Sequence, residues 1–192
     1  MSKIKSLLLV LCITLICNAC GSKKAALTKK YYRLNPVPTS ITPSTVRPMT
    51  LVVKRPEALS ILGGRPIVAT QVDTSLVQLS HNFWIESPKI LLQDLIKNWA
   101  KNLWQTVVYQ TPAAEQFHWL KTRILAFEKR QELAIAEIEF SLYDQDNQLL
   151  FNQTYNAEQN IIADNYDAFA QAMSQAIESI FSQFNEQLSQ EL

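Results

Sequence analysis

The last quarter of the chain limits the possible folds more than any other stretch. From Tyr166 the apolar residues Phe169, Met173, Ile177, Ile180, Phe184 and Leu188 return at steps of three and four, with Ala170 and Phe181 widening the stripe. Residues spaced in this way fall on one side of an α-helix, and the opposite side here is mostly Gln, Ser, Asn and Glu. A helix with one apolar side is stable only when that side is buried against another layer, so the rest of the chain has to supply one. Asp164 is placed to cap the helix start, and with Asp167 it suits the positive end of the helix dipole. The heptad is not sustained beyond this helix, which favours core packing over a coiled coil.

The segment before it supplies a sheet. From Glu132 to Tyr143 the residues Ala134, Ala136, Ile138, Phe140 and Leu142 alternate with Glu137, Glu139 and Ser141, the pattern of a strand with one wet face. Leu120 to Glu128 leads into it through a turn at Lys129 to Gln131. Asp144-Gln145-Asp146-Asn147 turns it into a returning strand from Leu149 to Tyr155. Further strands are predicted at Lys30 to Leu34, Thr50 to Lys54, Pro66 to Val72 and Ser75 to Ser80. Four Pro and five Ser or Thr between Asn35 and Pro48 predict a loop. A helix is expected from Pro88, with Ser87 as its cap, carrying Leu92, Leu95, Ile96, Trp99, Leu103 and Val107 on one stripe. Trp99 and Trp104 read as bulk for that packing. The order β-β-β-β-α-β-β-β-α predicts an α+β or α/β fold: one domain, over residues 31–190, whose two helices cover one face of a mixed or antiparallel sheet of six to seven strands.

The N-terminus has another purpose. Two lysines within Met1 to Lys5 precede Ser6 to Cys17, twelve residues without a charge, which matches the n- and h-regions of an export signal. A bilayer core needs about 20 apolar residues, so this run is too short to span one. Ala19 before Cys20, followed by Gly21 and Ser22, resembles the lipobox at which bacterial lipoproteins are cleaved and acylated on the cysteine. Cleavage between Ala19 and Cys20 removes residues 1–19. An alternative at Cys17 would put bulky Ile16 beside the cleaved bond. Cys12 and Cys17 leave with the signal, so the mature chain keeps no thiol to form a disulfide and depends on its core. Residues 20–30 form a tether with four lysines, suited to anionic headgroups or to water. Gly21 stands where lipoproteins retained in the inner membrane carry Asp, which favours the outer membrane.

Charge and chemistry narrow the function. With 47% hydrophobic and 18% charged residues, only three Gly and eight Pro, composition excludes collagen-like, low-complexity and disulfide-dense classes. The net charge of +1 gives no reason to expect nucleic-acid binding, and the basic-aromatic run Lys29 to Arg33 is too short to change that. All 18 Lys and Arg lie at or before Arg130, and the 62 residues after it carry 11 acids and no base. His81 and His118 have no partners at metal-ligand spacing, and His118 reads as a surface or edge residue. Glu137 and Glu139 could face one cleft as a carboxylate pair, but alternating acids on a solvated strand face explain them without catalysis and are the better reading. Gly63-Gly64 lacks phosphate-loop spacing. Asn152-Gln153-Thr154 fits a glycosylation sequon of little weight in a bacterial lipoprotein. No catalytic, metal-binding or cofactor-binding residue is assigned, and no cofactor is expected.

Taken together, the lipobox, Tyr31-Tyr32-Arg33-Leu34, Arg65-Pro66-Ile67-Val68, the later Leu76, Gln78, Asn82 and Trp84, and the helix from Pro88 to Leu103 resemble the ABC-type transport auxiliary lipoprotein family. The resemblance runs over about residues 17 to 185. It implies a non-enzymatic outer-membrane lipoprotein, palmitoylated through its anchor at Cys20 and facing the periplasm, that works beside MCE-domain proteins carrying phospholipid between membranes. Homo-oligomers are compatible with it. The rival readings are an assembly or structural factor for another outer-membrane or secretion complex, and a periplasmic enzyme or ligand-binding protein.

Overall fold

Residues 28–35, 46–113 and 116–191 are described by the computed structural model, and they run β1 (Lys30–Tyr32), β2 (Arg47–Val53), β3 (Glu57–Ala58), β4 (Pro66–Thr70), β5 (Leu76–Trp84), α1 (Pro88–Ala100), β6 (Trp104–Val108), β7 (Phe117–Arg130), β8 (Leu133–Tyr143), β9 (Leu149–Asn160) and α2 (Tyr166–Glu191). The nine strands form one mixed sheet organised around β7. One edge of β7 pairs antiparallel with β8, which pairs antiparallel with β9. The other edge takes three parallel strands in succession: β2 against Phe117 to Leu120, β3 against Arg123 and Ile124, and β4 against Glu128 to Arg130. The sheet therefore forks. β6 extends the β2 branch, while β5 and then β1 extend the β4 branch.

Both helices pack on the same face. α1 lies against β2 and β6, and α2 covers β8 and β9. A single apolar cluster joins Leu92, Ile96 and Trp99 of α1, Phe169, Ile177 and Phe184 of α2, and inward residues of the sheet such as Leu120, Ile138 and Phe140. Phe184 lies at its centre: its ring is 4.3 Å from that of Phe140 and 5.1 Å from that of Trp99, both stacked, and Phe151 and Tyr155 close the remaining sides. At the other end of α2, Trp84 meets Phe127 edge-on and Phe169 at 5.6 Å. The terminal stripe thus finds its predicted partner layer in the β7–β8–β9 meander.

Four expectations need correcting. The sheet has nine strands among the described residues rather than six or seven, because Glu57–Ala58 and Trp104–Val108 join it. The first helix stops at Ala100, so Leu103 and Val107 do not continue its stripe: Leu103 follows the helix end and Val107 lies in β6, hydrogen-bonded into the sheet beside β2. β2 begins at Arg47, inside the stretch read as loop. Pro48, which has no N–H for a ladder, sits where the register with β6 shifts. Neither predicted cap acts as expected. Ser87 makes no side-chain cap bond and its Oγ is buried without a partner, while at α2 it is Asn165, not Asp164, whose side chain accepts from the N–H of Ala168 at 2.8 Å. The loop residues 36–45 lie outside the described residues.

The tight β7–β8 turn carries Gln131 at φ 52°, a left-handed backbone that glycine would adopt at lower cost. The β8–β9 turn uses Asn147 at φ 63°, a residue tolerant of that region, and Asp144 accepts from the N–H groups of Asp146 and Gln148.

Candidate functional site

The sheet face opposite the helices is where polar chemistry collects. Residues of β7 alternate, so Leu120 enters the core while Trp119, Lys121 and Arg123 point to the open face. Register puts Tyr143 of β8 directly opposite Trp119, and their rings stack at 4.5 Å with an interplanar angle of 16°. The indole is fixed further by a 2.9 Å hydrogen bond from its Nε1 to the carbonyl of Asp144. Lys121 Nζ lies 4.6 Å from the centre of the Trp119 ring and 5.3 Å from that of Tyr143. Lys54, just past the end of β2, reaches the same indole at 6.0 Å and donates to Thr111 Oγ1. Such contacts fix an ammonium by the ring quadrupole and leave its charge uncancelled.

These residues line a cleft of about 520 Å³ together with Arg55, Arg123 and two acids, Glu57 and Glu139. Arg123 stands in register between those acids, Glu57 on β3 and Glu139 on β8. Four cations against two carboxylates leave the cleft positive. Ser141, opposite Lys121, accepts a hydrogen bond from the Asn152 side chain at 2.7 Å. The one ion pair within 4 Å among the described residues lies elsewhere, between Arg130 and Glu128. Chemically the cleft can hold a carboxylate or phosphate group on a flat aromatic floor. Its side chains include no Ser, Cys or His paired with a base.

The residues singled out in the sequence are dispersed. Cys20 and Ala19 lie outside the described residues. His118 is half-buried at the start of central β7, not on an edge; burial holds its pKa below the usual imidazole value, with Arg47 adding to the depression and Asp144 opposing it. His81 lies on β5, its Nδ1 buried without a hydrogen bond. Glu139 enters the cleft, whereas Glu137 faces Ala126. After Gly63 and Gly64 comes strand β4 and not a helix. Gly63 lies close to the Lys89 side chain, 3.1 Å from where a Cβ would sit. Among the described residues no three His, Cys, Asp or Glu gather as a metal site. The Trp119–Tyr143–Lys121 group went unnoticed in the sequence. The i, i+2 spacing of Trp119, Lys121 and Arg123 was a visible signal, but Tyr143 and Lys54 come from other strands.

A model of the ABC-type transport auxiliary lipoprotein component family matches residues 32–184. The chain belongs to that family. The match covers β2 to β9, the last residue of β1 and most of α2, and the family is that of auxiliary lipoproteins of ABC-type transporters. Two solved structures share the fold: an uncharacterised protein (TM-score 0.69, 19% identity, 84% of this chain and 99% of that one) and protein XCC0632 from Xanthomonas campestris, described under the family DUF330 (TM-score 0.68, 18% identity, 85% and 99%). Among curated proteins none matches. No helix among the described residues is long and apolar enough to cross a membrane.

Proposed function

We propose that the protein is a non-enzymatic lipoprotein, acylated at Cys20 and held in the outer membrane facing the periplasm, that docks an MCE-domain phospholipid transporter of the ABC type. The family match carries the transport role. The cleft beside Trp119 and Tyr143 is its docking surface, because an excess of unpaired cations over a rigid aromatic floor suits an acidic segment of the transporter. Its mechanism is positional: the anchor fixes one end, the cleft holds the other, and no bond is made or broken.

Crosslinking in intact envelopes followed by affinity purification of the tagged chain tests this. An MCE-domain protein is expected in the eluate, depleted at least fivefold by Trp119→Ala with Lys121→Glu. The Cys20→Ser chain is expected to be unacylated and missing from outer-membrane fractions. Repeated capture of a different envelope complex alone would replace this reading with an assembly or structural role. Normal fractionation of Cys20→Ser would remove the anchor from it.

A further inference from the structure

The outer corner of the β4 branch carries a second cationic and aromatic group, distinct from the cleft. Tyr31 of β1 and Phe83 of β5 are register partners on the open face, with rings 5.6 Å apart. Lys29 Nζ lies 5.4 Å from the Phe83 ring centre, and the Arg65 guanidinium lies 5.1 Å from that of Tyr31. Arg65 is steadied from behind by its Nε, which donates to the carbonyl of Trp84. Tyr31 is 53% exposed, and Lys29, Lys30, Arg33 and Arg65 are all exposed. None of these four has a carboxylate within ion-pair distance among the described residues. The nearby acids are Glu86 after β5 and Asp167 on α2; Asp167 shares a cavity at the β1 edge with Tyr31 and Arg33, so the charge facing it is that of Arg33, while Lys29 and Arg65 do not line that cavity.

Position decides what such a patch meets. β1 is the first element after the tether, and ten residues from Cys20 to Lys30 reach at most about 36 Å even when fully extended. A corner with that leash is never far from the leaflet that holds the acyl chains. Tyrosine and phenylalanine beside Lys and Arg are the side chains that settle at a headgroup layer, the rings at the apolar boundary and the charges on phosphates. Each cation close to an anionic leaflet strengthens partition about fivefold.

We infer that the β1–β5 corner, with Tyr31, Phe83, Lys29 and Arg65 at its centre, is a membrane-contact face that lies on the anionic headgroups of the anchoring leaflet and so sets the orientation of the domain. This rests on the acylation of Cys20 proposed above. The cleft lies towards the start of β7, at Trp119 to Arg123, whereas the branch that carries the corner joins β7 at Glu128 to Arg130.

The test uses the full acylated chain reconstituted into vesicles of phosphatidylethanolamine, alone or with phosphatidylglycerol. A fluorophore is attached through Glu86→Cys beside the corner or through Glu186→Cys near the far end of α2, and a nitroxide lipid headgroup serves as quencher. With phosphatidylglycerol, quenching at position 86 should exceed that at position 186 several-fold. The excess should fall as salt is raised and be lost in Lys29→Glu with Arg65→Glu. Equal quenching at the two positions, or an excess indifferent to salt in the otherwise unsubstituted labelled chain, would overturn the contact face without relying on the charge-reversed variant. Mass spectrometry of the same sample reads the acyl chains separately: their absence would overturn the anchor and this inference with it, whereas their presence with equal quenching leaves the anchor standing and removes only the face.

Discussion

Phe184 shows what a single side chain contributes to this architecture. It is fully buried and touches rings from α1, β8 and β9, so it joins both helices to the sheet. Truncation at such a point loses transfer energy and leaves a cavity that stacked rings cannot close, at a cost of about 3–5 kcal/mol. Phe184→Ala is therefore expected to lower the urea midpoint by that equivalent, and a loss below about 1 kcal/mol would contradict the central place given to this ring. Its burial was legible because the three- and four-residue stripe marked it as core. The pairing of Trp119 with Tyr143 was not: a strand's period says which face a residue takes but not which distant residue stands opposite. Lys54 is a still harder case, since it joins the cleft only because β2 lies parallel to β7.

Among the elements, α1 and β6 separate local pattern from tertiary pairing. Positions 99, 103 and 107 fit a helical stripe as well as they fit a helix followed by a strand. What ends the helix is the free edge of β2, which takes Thr106, Val107 and Val108 as parallel partners and receives the Leu103 carbonyl on the N–H of Arg47. β-Branched residues suit that edge better than a helix. The strand is then tied back to the helix, since the Tyr109 hydroxyl donates to Asp94 at 2.5 Å and Lys97 lies 4.1 Å from the centre of its ring. Burial, followed by the hydrogen bond to Asp94 and that residue's charge, pushes the Tyr109 phenol up to about 12. A folded-state value above the ordinary 10 means that the contribution is complete below pH 10 and is lost as pH rises through about 12. Absorbance titration should find one tyrosine ionising near 12, and Asp94→Asn should bring it back towards 10 and flatten the accompanying decline in stability. An unchanged titration in that variant would contradict the pairing. The α2 helix and the β7–β8–β9 meander were legible almost whole, because their periods are long and their partners adjacent in sequence. Of the parallel strands, β1, β2 and β4 were legible as strands but their pairing was not, because nothing local records a partner some sixty residues away.

For the molecule as a whole, the abrupt change of charge at Arg130 falls on the β7–β8 turn. The basic and acidic parts of the chain thus become neighbouring strands, Arg123 facing Glu139, and the near-zero net charge becomes a gradient across one sheet face. The same turn divides the ladder by distance along the chain. β7, β8, β9 and α2 meet through short turns, whereas β2 must find β7 from Thr50 to Phe117, and β1 must find β5 from Lys30 to Asn82. Closing long loops is slow, so the C-terminal unit is expected to form first. Pulse-labelling hydrogen exchange during refolding should protect amides of β8 and β9 before those of β1 and β2, and the reverse order would contradict this. An exported chain crosses a membrane amino end first. On the export proposed above, the leading strand emerges before the edge it must join has been delivered, and while the polypeptide is still threading, β2 waits unpaired for β7. A holding chaperone in the receiving compartment would meet this protein by its leading strands.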